Sequence, residues 1–138
     1  MAITNLTIIE DALREINVLN EVQSATAEQG TQGLRKLNQM AEMWKEDSLD
    51  VGWFRQSDTT ADAPIPDYAE QPMTYGLAVM MAPKYGASIS PELATVIGYS
   101  ISTLRRKLIK EALDNVDMTH LPEGTGHWGH RYNIQTDF

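Results

Sequence analysis

The feature that most constrains the fold is a long apolar stripe of helical period in the segment 90–115. Ser90 followed by Pro91 is typical of a helix start, because serine caps the first turn and proline tolerates the next position. Apolar residues then recur every three or four positions, as on one face of an α-helix. The stripe comprises Leu93, Ile97, Ile101, Leu104, Leu108 and Ala112. No breaker precedes Asn115, so the sequence predicts one helix over the whole segment.

A shorter helix is predicted near the N-terminus, over 7–17. Thr7 and Glu10 have the spacing of a capping box, in which the two side chains cap the first turn reciprocally. Apolar residues fall on one helical face, at Leu6, Ile8, Ile9, Ala12, Leu13 and Ile16. The segment therefore reads as an amphipathic helix that packs against a core.

A second helix is predicted over 26–47, where Thr26 and Gln29 repeat the capping-box spacing. Its apolar face carries Leu34, Leu37, Ala41 and Trp44. Gly30 and Gly33 each weaken a helix by about 1 kcal/mol relative to alanine. A close approach of a neighbouring helix would explain both glycines.

Helical periodicity is lost between Leu49 and Pro66, where prolines and polar residues mark a loop. Leu49, Val51 and Trp53 alternate with more polar positions, so a short β element and a plain loop both remain open. A third helix is predicted to follow Pro72 and to end at Ala82, before Pro83. Its alanine, methionine and glycine content indicates burial on several sides. The predicted fold is mainly α, an antiparallel bundle of about four helices.

The last residues, 121–138, have no helical or strand period but combine glycines with aromatic side chains. A disordered tail is expected to be poor in aromatics, because it has nothing to bury. Side chains spaced along an extended segment suit docking into a groove of another protein. We therefore predict a helical domain over 1–117 and an extended C-terminal arm over 118–138, and an assembly component as the class of protein.

Charge is distributed unevenly along this acidic chain, whose formal net charge is −8. Residues 1–83 carry 5 basic and 13 acidic groups, 84–110 carry 5 and 1, and 111–138 carry 1 and 5. A protein that binds nucleic acid by neutralising phosphates needs a basic surface, so this class is disfavoured. An acidic surface would instead let DNA slide past.

Several chemistries and locations are excluded by composition. The chain has no cysteine, so disulfides, thiolate metal sites and a cysteine nucleophile are excluded. No stretch approaches the roughly 18 apolar residues of a membrane span, and the first residues lack the pattern of a leader peptide. We expect a soluble protein that is made in the cytoplasm and has no membrane partner.

Three segments in order resemble the head-completion adaptors of tailed phages, the group that includes the tail accessory factor of short-tailed phages. The first two matches are Ala12, Leu13, Arg14, Ile16 and Val18, and then Thr26, Glu28, Leu34, Leu37, Asn38, Met40 and Trp44. The third is LAVMMAPKYGASISPELA, over 77–94. Together they cover most of 9–105. The chain departs from the family between Val51 and Pro66, where many relatives carry a longer glycine-rich β insertion.

The resemblance implies a structural virion protein and not an enzyme, with no cofactor. Such a head-to-tail connector forms a dodecameric ring under the portal, closes the DNA-filled head and offers a platform to tail or nozzle proteins. DNA passes through its channel without specific binding. The C-terminal arm would dock on the portal, with Trp128, Tyr132, Ile134 and Phe138 as the anchoring residues. The alternative is a small peptidoglycan-degrading hydrolase of a phage particle.

The hydrolase alternative depends on adjacent carboxylates, at Glu10-Asp11 and Glu46-Asp47, because sugar hydrolysis uses two carboxylates across a cleft. Neighbouring residues on a helix point in different directions, so a solvated helix surface is the plainer interpretation. His127 and His130 have a spacing seen among zinc ligands. His120 is the one further ligand evident, and no metal site is predicted.

Further residues are candidates for an interface or for the core. Arg105, Arg106, Lys107 and Lys110 could face DNA, but ion pairs within the chain or with a neighbouring subunit are favoured. The methionines Met40, Met43, Met80 and Met81 are predicted to lie in the core, although thioethers also suit adaptable interfaces. Trp44 is predicted to be a core residue, whereas Trp53, in the loop, is the better interface candidate.

Overall fold

The computed structural model describes residues 2–116, and within them the chain is mainly helical. The helices are α1 (Asn5–Glu15), α2 (Ala27–Glu46), α3 (Glu70–Met81) and α4 (Pro91–Asp114). Short 3-10 segments, Asp67–Ala69 and Ala82–Tyr85, flank α3. The mainly-α prediction is confirmed. The predicted arm lies outside the described residues. None of the helices in 2–116 combines the length and hydrophobicity that crossing a bilayer requires.

Two of the predicted helix starts are confirmed by their capping hydrogen bonds. Gln29 N donates to Thr26 Oγ1 at 3.2 Å, and Thr26 N donates to Gln29 Oε1 at 2.9 Å, which completes the capping box of α2. At α4, Leu93 N donates to Ser90 Oγ at 3.1 Å. Because both caps are local, the sequence was sufficient to locate them.

The predicted start of α1 is wrong. Thr4, and not Thr7, caps this helix, since Thr7 N donates to Thr4 Oγ1 at 3.2 Å. The expected partner of Thr7, Glu10, instead accepts a hydrogen bond from Ala25 N at 3.1 Å, across the connection to α2. The Glu10 carboxylate, which a capping box with Thr7 would require, is therefore bonded to a residue 15 positions away in the sequence.

Helix α3 is the centre of the bundle and packs against α1, α2 and α4. Met73 and Leu77 are fully buried, and Gly76 lies so close to α2 that a Cβ there would be 2.8 Å from Trp44 Cζ2. The helix begins at Glu70, before Pro72 rather than after it. Proline fits this first turn because amide groups there have no helical partner.

The loop between α2 and α3 forms no strand within residues 2–116, where a single bridge joins Thr4 and Asp62. Leu49, Val51 and Trp53 are nevertheless all buried. The loop is held by side-chain amides and by backbone hydrogen bonds to the start of α1, such as the one from Asn5 N to Ala61 O at 3.0 Å, and not by a β-ladder. Of the two open alternatives, the plain loop is therefore correct.

A cluster of buried polar side chains connects this loop to α1 and α2. We call it the amide cluster and define it as Asn5, Asn38, Trp53 and Gln56. Asn38 Oδ1 accepts from Trp53 Nε1 at 3.1 Å and from Gln56 N at 2.9 Å, while Asn38 Nδ2 donates to Gln56 O at 2.8 Å. Asn5 Nδ2 donates to Gln56 Oε1 at 3.2 Å and to Asp58 O at 2.9 Å. Buried polar groups require such partners, so the cluster fixes the path of the loop over α1 and α2.

Gly33 has the close helix contact that its sequence position suggested. A Cβ at Gly33 would overlap Cγ2 of Ile9, a fully buried residue of α1. At Gly30 a Cβ would find only ordinary contacts, with Leu6 and Thr59 at 3.7 Å.

We expect Gly33→Ala to destabilise the fold by about 1 to 3 kcal/mol, because Ile9 would have to move in a packed core. Gly98→Ala in α4 is the matched control, since nothing lies within 4 Å of its added Cβ. This change should stabilise the fold by up to about 1 kcal/mol. Denaturant unfolding measures both variants. Equal free energies of unfolding would contradict the α1–α2 contact.

Candidate docking surface on helix α4

Helix α4 is only partly packed against the bundle. Ile97, Ser100 and Leu104 are buried, whereas no residue in 109–116 is buried. The first part of the predicted apolar stripe thus packs against the core, whereas Ala112, the last residue of the stripe, is exposed. The C-terminal turns of α4 extend beyond the core of the domain.

These turns carry three exposed apolar residues, Ile109, Leu113 and Val116, which we call the end stripe. They are 54%, 67% and 52% exposed. Ile109 and Leu113 lie one turn apart on one side of α4, turned away from Ile97 and Leu104. Val116 directly follows Asn115, the C-cap of the helix. Grouped apolar residues on a surface are typical of binding sites.

A second apolar surface, the α3–α4 groove, lies beside 96–107 of α4. It is a cavity of about 270 Å³ whose lining includes Tyr68, Pro72, Val96, Tyr99 and Leu104. Tyr99 is 69% exposed, and Val96 is also exposed. The groove therefore has an apolar rim as well as an apolar floor.

Tyr68 forms a fixed edge of this groove. Its hydroxyl donates to Glu111 Oε2 at 2.8 Å, and Lys107 Nζ lies 5.4 Å from the centre of its ring. Partial burial, with the nearby Glu111 carboxylate, raises the pKa of Tyr68 above its ordinary value. The phenol therefore stays protonated and keeps donating to Glu111 at neutral pH.

An acidic groove adjoins the α3–α4 groove, and Gln71 contributes to both. Its volume is about 710 Å³, and it lies between the end of α1 and the start of α3. Its carboxylates belong to Asp11, Glu15, Glu21, Asp67 and Glu70. Among residues 2–116, the one cation in its lining is Arg14, which is paired with Asp11 at 3.0 Å. The groove thus presents a negative surface.

The predicted basic group of α4 divides into two pairs. Arg105 lies 3.1 Å from Asp47, and Lys107 lies 3.9 Å from Glu111, so both make ion pairs within the chain. Arg106 and Lys110 have no carboxylate within 4.0 Å among residues 2–116. On the helix they lie next to the end stripe. They are therefore the basic residues available to a partner.

The prediction that Trp53 is an interface residue is wrong. Trp53 is only 5% exposed and belongs to the amide cluster, whereas its neighbour Phe54 is 67% exposed. The alternation of Leu49, Val51 and Trp53 already carried this signal, because it turns the next position outward. Trp44 is buried, as predicted.

The methionine prediction holds for part of the set. Met40 and Met81 are buried and Met80 packs against the core, but Met43 is exposed on α2. Apolar residues outside the predicted stripes, such as Val96, Tyr99 and Leu113, were not identified as surface sites from the sequence. Their position off the core-facing side of α4 was the available signal.

Three of the four adjacent carboxylates have structural partners. Glu10 accepts from Ala25 N, Asp11 pairs with Arg14, and Asp47 pairs with Arg105. In the loop, the backbone amide of Thr60 and then its hydroxyl donate to Asp58 and lower the pKa of that carboxyl. This is the direction opposite to the one a general acid needs.

The remaining predicted sites concern residues beyond 116. Trp128, Tyr132, Ile134 and Phe138 lie outside the described part of the chain, as do all three histidines. Within 2–116, no group of three or more acidic or histidine side chains could hold a metal ion. No protein-family model matches the chain, and neither does any curated protein sequence.

Proposed function

We propose that the chain is a head-to-tail adaptor of a phage virion, which forms a ring under the portal, closes the DNA-filled head and offers a platform for the tail. The observation that carries the proposal is the end of α4. Its last turns bury nothing, expose Ile109, Leu113 and Val116, and lead directly into the aromatic segment that follows. A helix end of this kind suits attachment to other proteins rather than chemistry within the subunit.

Portal attachment is assigned to the C-terminal arm. Trp128, Tyr132, Ile134 and Phe138 are its anchors, because a few buried aromatic and apolar side chains carry most of the energy of an interface. Neighbouring adaptor subunits complete a ring, for which the resemblance implies twelve copies, and tail or nozzle proteins bind below.

The acidic part of the chain is assigned to the DNA channel. Residues 1–83 carry 13 acidic and 5 basic groups, so a wall built from this part repels phosphates. DNA then passes without binding, as ejection requires. Arg106 and Lys110 belong on a subunit contact rather than on this wall.

Sedimentation of the purified subunit, alone and mixed with portal rings of the same virus, tests the proposal. We expect a 15.4 kDa monomer alone and co-sedimentation with the portal rings. The helices bury their core within one chain, whereas the arm requires a groove supplied by another protein. A stable ring without portal would contradict the assembly order. Peptidoglycan hydrolysis without portal binding would support the hydrolase alternative instead.

A further inference from the structure

We infer that the end stripe of α4 in one copy docks into the α3–α4 groove of a second copy of the chain. The stripe consists of Ile109, Leu113 and Val116, and the groove opens between Tyr68 and Tyr99. The inference rests on the proposed function in one respect, namely that the contact is repeated around a ring.

The groove cannot be filled by the end stripe of the same copy. Tyr99 and Leu113 belong to one continuous helix, so about 21 Å of helix axis separates them. An unbroken helix cannot fold back to bring the two together. The stripe that enters a groove must therefore come from another molecule.

The two surfaces match in shape and chemistry. In the end stripe Ile109 and Leu113 stand at i and i+4 of the helix, a spacing by which a helix lies in an apolar groove, and Val116 adds an apolar side chain just after the C-cap. The groove offers the rings of Tyr68 and Tyr99 and the side chain of Val96 as its counterpart. Docking would cover exposed apolar residues on both copies. Removal of apolar surface from water is the main driving force for association.

Charge complementarity fixes which way the docked helix faces. Arg106 and Lys110 lie beside Ile109 and Leu113 on the helix surface, and neither takes part in the ion pairs found among residues 2–116. The α3–α4 groove continues through Gln71 into the acidic groove, where Asp67 and Glu70 are nearest in sequence. A stripe lying in the apolar groove brings the two cations toward these carboxylates. Opposite charges of this kind set the register and speed encounter.

A contact between two different surfaces of the same chain is head to tail, so it repeats into a closed ring or an open filament. One helix end in one groove is a small interface, and small interfaces bind weakly. The contact is therefore compatible with a monomer in dilute solution. Subunits held side by side on a portal would form it cooperatively.

Cysteine cross-linking tests the contact, because the chain has no cysteine of its own. L113C and Y99C are mixed at millimolar concentration without portal and treated with a short bismaleimide. Both positions are well exposed, so neither change should affect folding. We expect a cross-linked dimer in the mixture, little product from either variant alone, and a ladder of multimers from the double variant.

V22C replaces L113C as the matched control, because Val22 is an exposed apolar residue in the connection between α1 and α2. Adding R106E and K110E to L113C should lower the dimer yield several-fold. A mixture that yields no more dimer than the V22C control, or an L113C homodimer in greater yield, would overturn the inference. The cross-linking experiment contains no portal, so it tests only the contact between two copies. If it fails while the subunit still co-sediments with portal rings, the contact is wrong and the proposed adaptor function is not affected.

Discussion

Replacing Asn38 by alanine is expected to lower the free energy of unfolding by about 3 kcal/mol or more. The change removes the partners of three buried groups, namely Trp53 Nε1, the amide of Gln56 and the carbonyl of Gln56. Each buried polar group left without a partner costs about 1 to 3 kcal/mol. A domain of this size has roughly 5 to 15 kcal/mol of total stability, so the loss is a large part of it.

Gln39→Ala is the matched control, since Gln39 is the exposed neighbour on the same helix. It should change stability by no more than about 0.5 kcal/mol. Denaturant unfolding followed by tryptophan fluorescence measures both. If the two variants have the same free energy of unfolding, the amide cluster does not hold the loop. Asn38 is also a residue of the family resemblance, and the cluster gives it a physical role.

Deleting 121–138 is expected to abolish portal attachment and to leave the helical domain folded. The helices of 2–116 carry the periodic apolar residues and their own caps, and they pack these residues into a common core. Alanine changes at Trp128, Tyr132 and Phe138 should each cost about 1 to 4 kcal/mol of attachment. The melting temperature of the free subunit should hardly change.

Thr125→Ala is the control for these variants, because it lies in the same segment and removes no aromatic ring. Circular dichroism reports on folding and co-sedimentation reports on attachment. A truncated chain that still binds portal rings would show that other residues carry the docking. A truncated chain that unfolds would show that the arm is part of the domain.

Local chemistry explains which parts of the fold were predictable. The caps at Thr26 and Ser90 require only residues within three positions, so the sequence defined the starts of α2 and α4. At α1 both Thr4 and Thr7 could serve as caps. A contact between Glu10 and the distant Ala25 accompanies the choice of Thr4, and no local pattern contains it.

The docking surface was less predictable because it depends on how helices pack. The sequence predicted that Arg106 and Lys110 lie on α4. It did not indicate which of the basic residues of this helix form ion pairs within the chain. The α3–α4 groove exists because Tyr68 and Pro72 stand opposite Val96 and Tyr99. That juxtaposition follows from tertiary packing, as does the hydrogen bond from Trp53 to Asn38. Side-chain periodicity alone indicates neither.

The mass of the complex between purified subunit and portal rings, measured by native mass spectrometry, tests the central claim most directly. The account predicts one closed ring per portal, with the added mass of twelve copies of 15.4 kDa. It also predicts no comparable assembly when either component is measured alone. Portal rings that gain no mass at saturating subunit would contradict the claim that this chain is a head-to-tail adaptor.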